Sequence, residues 1–478
     1  MRYEAVIGLE VHAQVKTESK MFCACPNRYG SEPNTNVCPV CMGYPGVLPV
    51  PNKEAILRTV RAGLLTNCEI ARYSKFDRKS YFYPDMPKNY QISQYDLPFC
   101  ANGYVEIGGT GFSGEPLPEK KIGLTRIHLE EDVAKLTHFH GASGVDYNRA
   151  GIPLMETVSE PDMRSADEAY AYLTNLKEIF VHGGIGDCDQ EKGQMRCDVN
   201  ISLRPEGQAE FGTKVELKNL NSFRAVHRAI DYEIWRQAEV LNSGGKISQE
   251  TRGWNDDTGE TYLMRTKEQA HDYRYFPDPD LMPVIFVDAD IEAVRAALPE
   301  LPTAKRARYV ADYALTEYDA QVLVQDKAIA AYFEQAVKSA KKPKLLANWI
   351  ISELLRELGA AGLDECKISA ESLAELVNLI DAGTINGKIA KDVFAVMLES
   401  GDAPQKIVEA KGLSQVSDAG AIAAVVAEAI AANPAQVQQY LDGNERVLQY
   451  LVGQVMKLSK GKANPPMAIQ LLKEQLDK

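Results

Sequence analysis

The chain changes character at Pro302, and that break limits the folds open to it. Before Pro302 the sequence is rich in strand and turn signals. From Thr303 to about Leu398, Ala, Leu, Lys and Glu recur at helical spacing, as in KLLANWIISELLREL, which predicts a helical domain. Ser400-Gly401-Asp402-Ala403-Pro404 interrupts that run and reads as a linker, after which amphipathic pieces such as AIAAVVAEAIAANP continue to the end. With 478 residues the chain is too long for one ordinary core. The expectation is an α+β protein: a strand-rich antiparallel cradle over residues 1–295, an all-helical domain over 296–400 and an all-helical tail over 405–478.

Composition narrows the class. Hydrophobic residues make up 45% and charged residues 25%, as in globular proteins. The opening MRYEAVIGLEVHAQV lacks a basic start followed by an unbroken apolar run, because Glu10 and His12 interrupt it. No secretory signal or membrane span is therefore expected, and the expected location is cytoplasmic. In a reducing compartment the nine cysteines point to metal rather than disulfides. A net charge of −13 opposes recruitment of a polyanion, so nucleic-acid binding would rest on local basic patches.

Cys23, Cys25, Cys38 and Cys41 form C-x-C-x12-C-x-x-C, two close thiol pairs that suit a structural tetrahedral zinc site; the alternative is four unligated thiols in a loop. In Tyr3 to Gln14 the odd positions are mostly apolar, while Glu10, His12 and Gln14 share the other face. Residues two apart on a strand lie about 7 Å from one another, so Glu10 and His12 can converge on a cation. In TRIHLEEDVAK, Glu131 falls on the face of Ile127, Leu129 and Val133, and in GIPLMETVSEPD, Glu156 falls with Ile152, Leu154 and Val158. A carboxylate on an apolar face needs a cation, donors or a proton. These carboxylates with Glu10 and His12 outline an oxygen-rich magnesium site, unless both strands are out of phase by one residue, which would send the glutamates to solvent.

Lys75 to Gln94, KFDRKSYFYPDMPKNYQISQ, combines cations and aromatic rings with two prolines and no clear period. It predicts a shaped loop that either holds a phosphate or carboxylate and a flat group, or closes a core. MRCDVNISLRP and TKVELKNLNSF predict a hairpin with one polar face carrying Arg196, Asp198, Arg204, Lys214, Glu216 and Lys218; such a face can be a substrate site or merely wet. Gly109 to Gly114 fits G-x-G-x-x-G but runs into Pro116 and Pro118, so it reads as a turn. No Walker loop and no Ser- or Cys-based nucleophile with a linked base is evident, which leaves metal-assisted electrostatic chemistry.

The segments GLEVHAQV, CPVCMGYPGVLPVPN, KFDRKSYFYPDMPKNYQISQ, TRIHLEEDVAK, PLMETVSEPDMRS, MRCDVNISLRP, ELKNLNSF, DYRYFPDPDL and LVGQVMKLSKGKANP together resemble the B subunit of tRNA-dependent aspartyl/glutamyl amidotransferases over essentially the whole chain. The resemblance implies a heterotrimer with an amidase A subunit and a small C subunit. It further implies a catalytic cradle that phosphorylates the side chain of misacylated Glu-tRNA(Gln) or Asp-tRNA(Asn) with ATP and lets ammonia displace the phosphate. On that resemblance Glu10, His12, Glu131, Glu156, Asp198 and Glu216 look like metal and ammonia-path residues, with magnesium assigned first to His12 and Glu131. Lys79, Lys88, Arg149 and Arg204 are the candidate phosphate contacts. The cysteine quartet resembles the family's zinc site, and Lys462 and Asn464 fall in a tail that would grip tRNA. A zinc-stabilised tRNA-binding adaptor without chemistry is the alternative, but it leaves Glu131 and Glu156 unexplained.

Overall fold

Alternation in the opening strand decides which side of the protein is core. In Tyr3–Gln14, Ile7, Leu9, Val11 and Ala13 are all buried, while Glu10, His12 and Gln14 point to the opposite face and keep some exposure. The computed structural model describes residues 2–266, 273–359, 362–413, 419–459, 463 and 465–476. It divides into two compact units, Met1–Leu301 and Pro302–Lys478.

Tyr3–Gln14 is the central strand of a nine-stranded sheet. The order is Glu260–Thr266, Glu250–Asn255, Val215–Lys218, Met195–Pro205, Tyr3–Gln14, Pro153–Ser159, Pro116–Glu131, Cys100–Thr110 and Glu69–Ile70. Neighbours run antiparallel except Val215–Lys218 and Glu250–Asn255, which are parallel. A parallel pair needs a crossover, and the helix Phe223–Asn242 lies between the two strands in sequence. The antiparallel expectation thus holds for every other pair in the sheet.

The long helices Lys53–Leu65, Ala166–His182 and Phe223–Asn242 contribute to the core on the apolar face, and the short helix Asp288–Ala296 adds Ile291. Each long helix starts where the sequence offers a side-chain cap. Asn52 accepts the N–H groups of Glu54 and Ala55, Ser165 that of Glu168, and Ser222 that of Ala225. Tyr172, Leu173, Leu176 and Phe180 from the second helix join Leu9, Val11, Leu129, Met155, Cys197 and Val199 in one core. Burying each such side chain is worth about 1.5–3 kcal/mol.

Lys75 to Gln94 is more regular than expected. Asp77–Ser80 and Tyr90–Ser93 pair antiparallel, and Phe276–Pro277 adds a third strand. Pro84 and Pro87 lie in the connection over residues 81–89, so neither removes a ladder donor. Asn89, at φ 62°, turns the chain back in the left-handed region that asparagine tolerates. Gly109 (φ 87°) and Gly114 (φ 90°) belong to the tip of the hairpin between Cys100–Thr110 and Pro116–Glu131, the turn the prolines had indicated.

The first compact unit runs to Leu301; Ile291 on the helix Asp288–Ala296 is buried in the sheet core and Leu298 packs against it. The stretch at Ser400–Pro404 is a tight helix-to-helix turn, not a linker. Gly401 at φ 73° ends Gly387–Ser400, and Pro404 opens Pro404–Ala410, whose Ile407 and Val408 are buried in the core of the preceding helices. Glycine followed by proline marks both linkers and such turns. A separate core of Ile422, Val426, Leu451, Val455, Ala468 and Leu472 closes the C-terminal helices.

Leu9 lies directly behind the polar face and is 1% exposed. Leu9→Ala should lower the stability of the sheet unit by about 2–5 kcal/mol, measured by urea denaturation, because the cavity cannot collapse between strand and helices.

Candidate active site on the polar face of the sheet

Strand register assembles the polar face row by row. One row runs Arg196, His12, Glu156, His128 across four neighbouring strands. The next holds Asp198, Glu10, Val158 and Arg126, and Glu130 lies two residues beyond His128, opposite Leu154. These side chains converge. His12 Nε2 is 3.1 Å from Glu156 and 3.9 Å from Glu130, while His128 Nε2 is 3.5 Å from Glu130 and 3.8 Å from Glu156. Arg126 donates from Nε to His128 Nδ1 at 3.3 Å and approaches Glu156 at 3.7 Å.

The cluster is held together electrostatically. Burial works against charge on His12, but its hydrogen bond with Glu156 and the charges of Glu156 and Glu130 outweigh burial and hold its pKa above the usual imidazole value. Burial pushes the carboxyls of Glu130 and Glu156 up; His128 and Lys79 pull both below the ordinary range, joined at Glu156 by His12. One ligand atom each from His12, Glu130 and Glu156 lies within 4.8 Å of the other two. Two carboxylates and an imidazole suit a hard divalent cation.

Glu131 does not take the place expected of it. Consecutive residues on a strand face opposite ways, and Glu131 lies on the face of Leu129 and Ile127, away from His12. Its carboxylate, 1% exposed, pairs with Lys88 and accepts the Ile92 N–H at 2.9 Å. It is Glu130, and not Glu131, that the structure brings beside His12. Glu156 does belong to the cluster; the fully apolar side of its strand is carried by Met155 and not by Leu154 and Val158.

The remaining candidates divide. Glu10 accepts from Asn200 Nδ2 at 2.8 Å. Asp198 and Glu216 share Lys218, and Glu216 also accepts the Thr251 hydroxyl at 2.7 Å. Lys79 sits 4.8 Å over the Tyr273 ring; burial lowers its pKa, yet the charges of Glu130, Tyr275 and Glu156 raise it above the usual lysine value. The other three phosphate candidates are committed elsewhere. Lys88 is buried against Glu131, Arg149 donates to the carbonyls of Val133 and Ala134 at 2.8 and 2.9 Å, and Arg204 is forked onto Glu4. Glu4 is six residues along the strand from Glu10, about 20 Å at roughly 3.4 Å per residue. Lys462 and Asn464 lie outside the described residues.

The four cysteines meet as their spacing predicted, each sulfur within 4.8 Å of the others. Cys41 Sγ accepts the Cys38 N–H at 3.1 Å and lies 3.8 Å from Lys20 Nζ. A hydrogen bond from Cys23, opposed by burial and aided by the Cys38 N–H and the Lys20 charge, pulls the Cys41 thiol down to about 5, the thiolate character that metal ligation requires. Phe22, Cys23 and Cys41 wall a cavity of about 100 Å³ that also touches Glu131 and Lys88.

Sequence reasoning missed Glu130, His128, Arg126 and Asp132, and placed Arg196 on a polar face without singling it out. The signal was present, since Arg126, His128, Glu130 and Asp132 are the alternate positions of TRIHLEEDVAK and make its polar face continuous with His12.

Residues 5–292, which carry this open sheet face with its histidine–carboxylate cluster and flanking cations, match the family model described as the GatB/GatE catalytic domain. Residues 331–476 match the model described as the GatB domain. Curated relatives match end to end. The B subunit of the aspartyl/glutamyl-tRNA(Asn/Gln) amidotransferase of Carboxydothermus hydrogenoformans is 53% identical over 483 residues, covering 100% of this chain and 99% of the relative. The proteins of the same name from Thermoanaerobacter pseudethanolicus (53%, all of both chains) and Brevibacillus brevis (52%, 100% of this chain and 99% of the relative) agree. The chain belongs to this family of amidotransferase B subunits.

Glu130→Gln should weaken Mn²⁺ binding at least about tenfold in a titration followed by electron paramagnetic resonance, as loss of one charged ligand demands. Glu131→Gln should leave Mn²⁺ affinity unchanged and instead cost about 3–5 kcal/mol of stability, because Lys88 loses its buried partner.

Proposed function

We propose that the chain is the tRNA-dependent, ATP-consuming subunit of a heterotrimeric amidotransferase that amidates the side chain of misacylated Glu-tRNA(Gln), Asp-tRNA(Asn) or both. The observation that carries this reading is the juxtaposition on one sheet face of an anionic cluster fit for a divalent cation with the cations Lys79 and Arg196. A carboxylate is a poor acyl donor until one of its oxygens becomes a phosphate leaving group. In the first step that oxygen attacks the γ-phosphorus of ATP, the bond to the β–γ bridging oxygen breaks, and ADP leaves. In the second, ammonia attacks the carbonyl carbon, the carbon–oxygen bond to phosphate breaks, the nitrogen gives up a proton, and inorganic phosphate departs.

Magnesium bound by His12, Glu130 and Glu156 would neutralise charge on the phosphate oxygens. The protein's own groups do the rest. Lys79, protonated throughout the physiological range, attracts the anionic side chain and phosphates to the cluster. Glu10, Asp198 and Glu216, held by Asn200 and Lys218, continue the polar face and keep it hydrated and ordered. Ammonia would come from a partner amidase subunit, with a small third subunit completing the assembly. The cavity beside Glu131 and Lys88 has room for water-sized molecules and is the place where this reading puts ammonia entry. Zinc on the four cysteines would be structural, since four sulfurs leave no open position. With a net charge of −13, tRNA contact would be local, and the C-terminal helices with Lys462 and Asn464 are its proposed seat. Among the described residues no helix is long and apolar enough to cross a membrane, in keeping with a proposed cytoplasmic role.

The assembled complex should convert Glu-tRNA(Gln) to Gln-tRNA(Gln) with one ADP formed per amide, and Glu130→Gln should abolish conversion while tRNA binding survives. An adaptor without chemistry would form no ADP in response to charged tRNA.

Truncation after Leu413, which spares the helix Pro404–Ala410 and its core, should weaken tRNA binding at least about tenfold in a filter assay. Unchanged activity on truncation would point to a small free carboxylic acid as substrate.

A further inference from the structure

Among the cations anticipated at the site, only Lys79 faces the His12–Glu130–Glu156 cluster, and a point charge cannot orient a tetrahedral phosphoryl group. Arg196 has the geometry to do so. It stands directly opposite His12 on the neighbouring strand, and its charge acts on His12, Glu130 and Asp198. Asp132 Oδ1 accepts from its Nη2 at 3.0 Å and fixes the guanidinium plane. Asp132 is fully buried and serves two guanidiniums, since Arg149 Nε lies 3.6 Å away. The Arg196 side chain is 41% exposed, while its Nε is itself buried and has no hydrogen-bond partner. A guanidinium held at one corner by Asp132, with the rest of its fork exposed, can meet an anion.

We infer that Arg196 is a catalytic residue that grips the oxygens of the phosphoryl group during its transfer to the substrate carboxylate. It makes and breaks no bond; its donors balance the charge that builds on the transferring group while Asp132 keeps the fork aimed at the space in front of His12. The assignment rests on the phosphoryl-transfer reading of the site. Lysine cannot replace it, because one ammonium cannot both hold Asp132 and present a planar fork to the phosphoryl oxygens.

The test uses the complete complex carrying Arg196→Ala or Arg196→Lys, with ADP formation in the presence of misacylated tRNA as the readout. Arg196→Ala should lower kcat about 10²- to 10³-fold, the usual loss for one oriented donor at a developing charge, with tRNA affinity retained. Millimolar guanidinium should restore at least about a tenth of the lost rate, as a collapsed strand would not allow. Arg196→Lys keeps the charge beside Asp132 and guards against misfolding; it should remain at least about tenfold slow. Either variant within about threefold of wild type, or a loss in Arg196→Ala that guanidinium does not restore, overturns the assignment. Wild-type ADP formation that depends on misacylated tRNA upholds the broader reading whatever Arg196 does, and its absence defeats that reading separately.

Discussion

A β-sheet is one residue thick, and neighbouring residues on a strand look out on opposite sides of it. That constraint organises the first unit. Leu9, Val11, Leu129, Met155 and Val199 supply a continuous apolar side for three helices, and the residues between them supply Glu10, His12, His128, Glu130, Glu156 and Asp198 to the other. Neither side can be adjusted alone. Burying Glu130 and Glu156 costs several kcal/mol each before compensation, and the compensation comes from His12, His128 and Arg126, delivered by the same register, and from Lys79 on the smaller three-stranded sheet.

Much of this was legible in the chain. The polar positions of the opening strand, the cysteine quartet, the hairpin of Met195–Pro205 with Val215–Lys218 and the helical character after Pro302 all follow from spacing, because each depends on local periodicity. What escaped depends on partners distant in sequence. A run of two glutamates is ambiguous until its strand is paired, and only the register of Leu154 with Glu130 settles which one meets His12. The ladder from Asp77 to Ser93 was masked by two prolines that fall outside it. At Ser400–Pro404 a break that reads as a linker leads into a helix fixed by two buried side chains, Ile407 and Val408, which find their core among helices earlier in the sequence.

The cations show the same dependence on context. Lys88, Arg149 and Arg204 had the right charge, but each is consumed by a carboxylate or a carbonyl that sequence could not place beside it. Arg78 likewise is spent on Asp278 and Asp280, with Tyr90 stacked on its plane. The cysteine module shares this interdependence. Lys20, 1% exposed, is tied to the Asn36 carbonyl and to Cys41, and the sulfur-bearing loop walls the cavity that reaches Glu131. Order in that loop and the shape of the cavity are therefore one property.

Glu130 and Glu131 serve separate compartments although a single peptide bond joins them. Gain or loss of one residue between Arg126 and Glu131 would exchange their surroundings, setting the lysine-bound carboxylate beside the histidines and leaving Lys88 alone. A change of length at the hairpin tip around Gly111–Glu115, by contrast, leaves unaltered which glutamate faces which compartment.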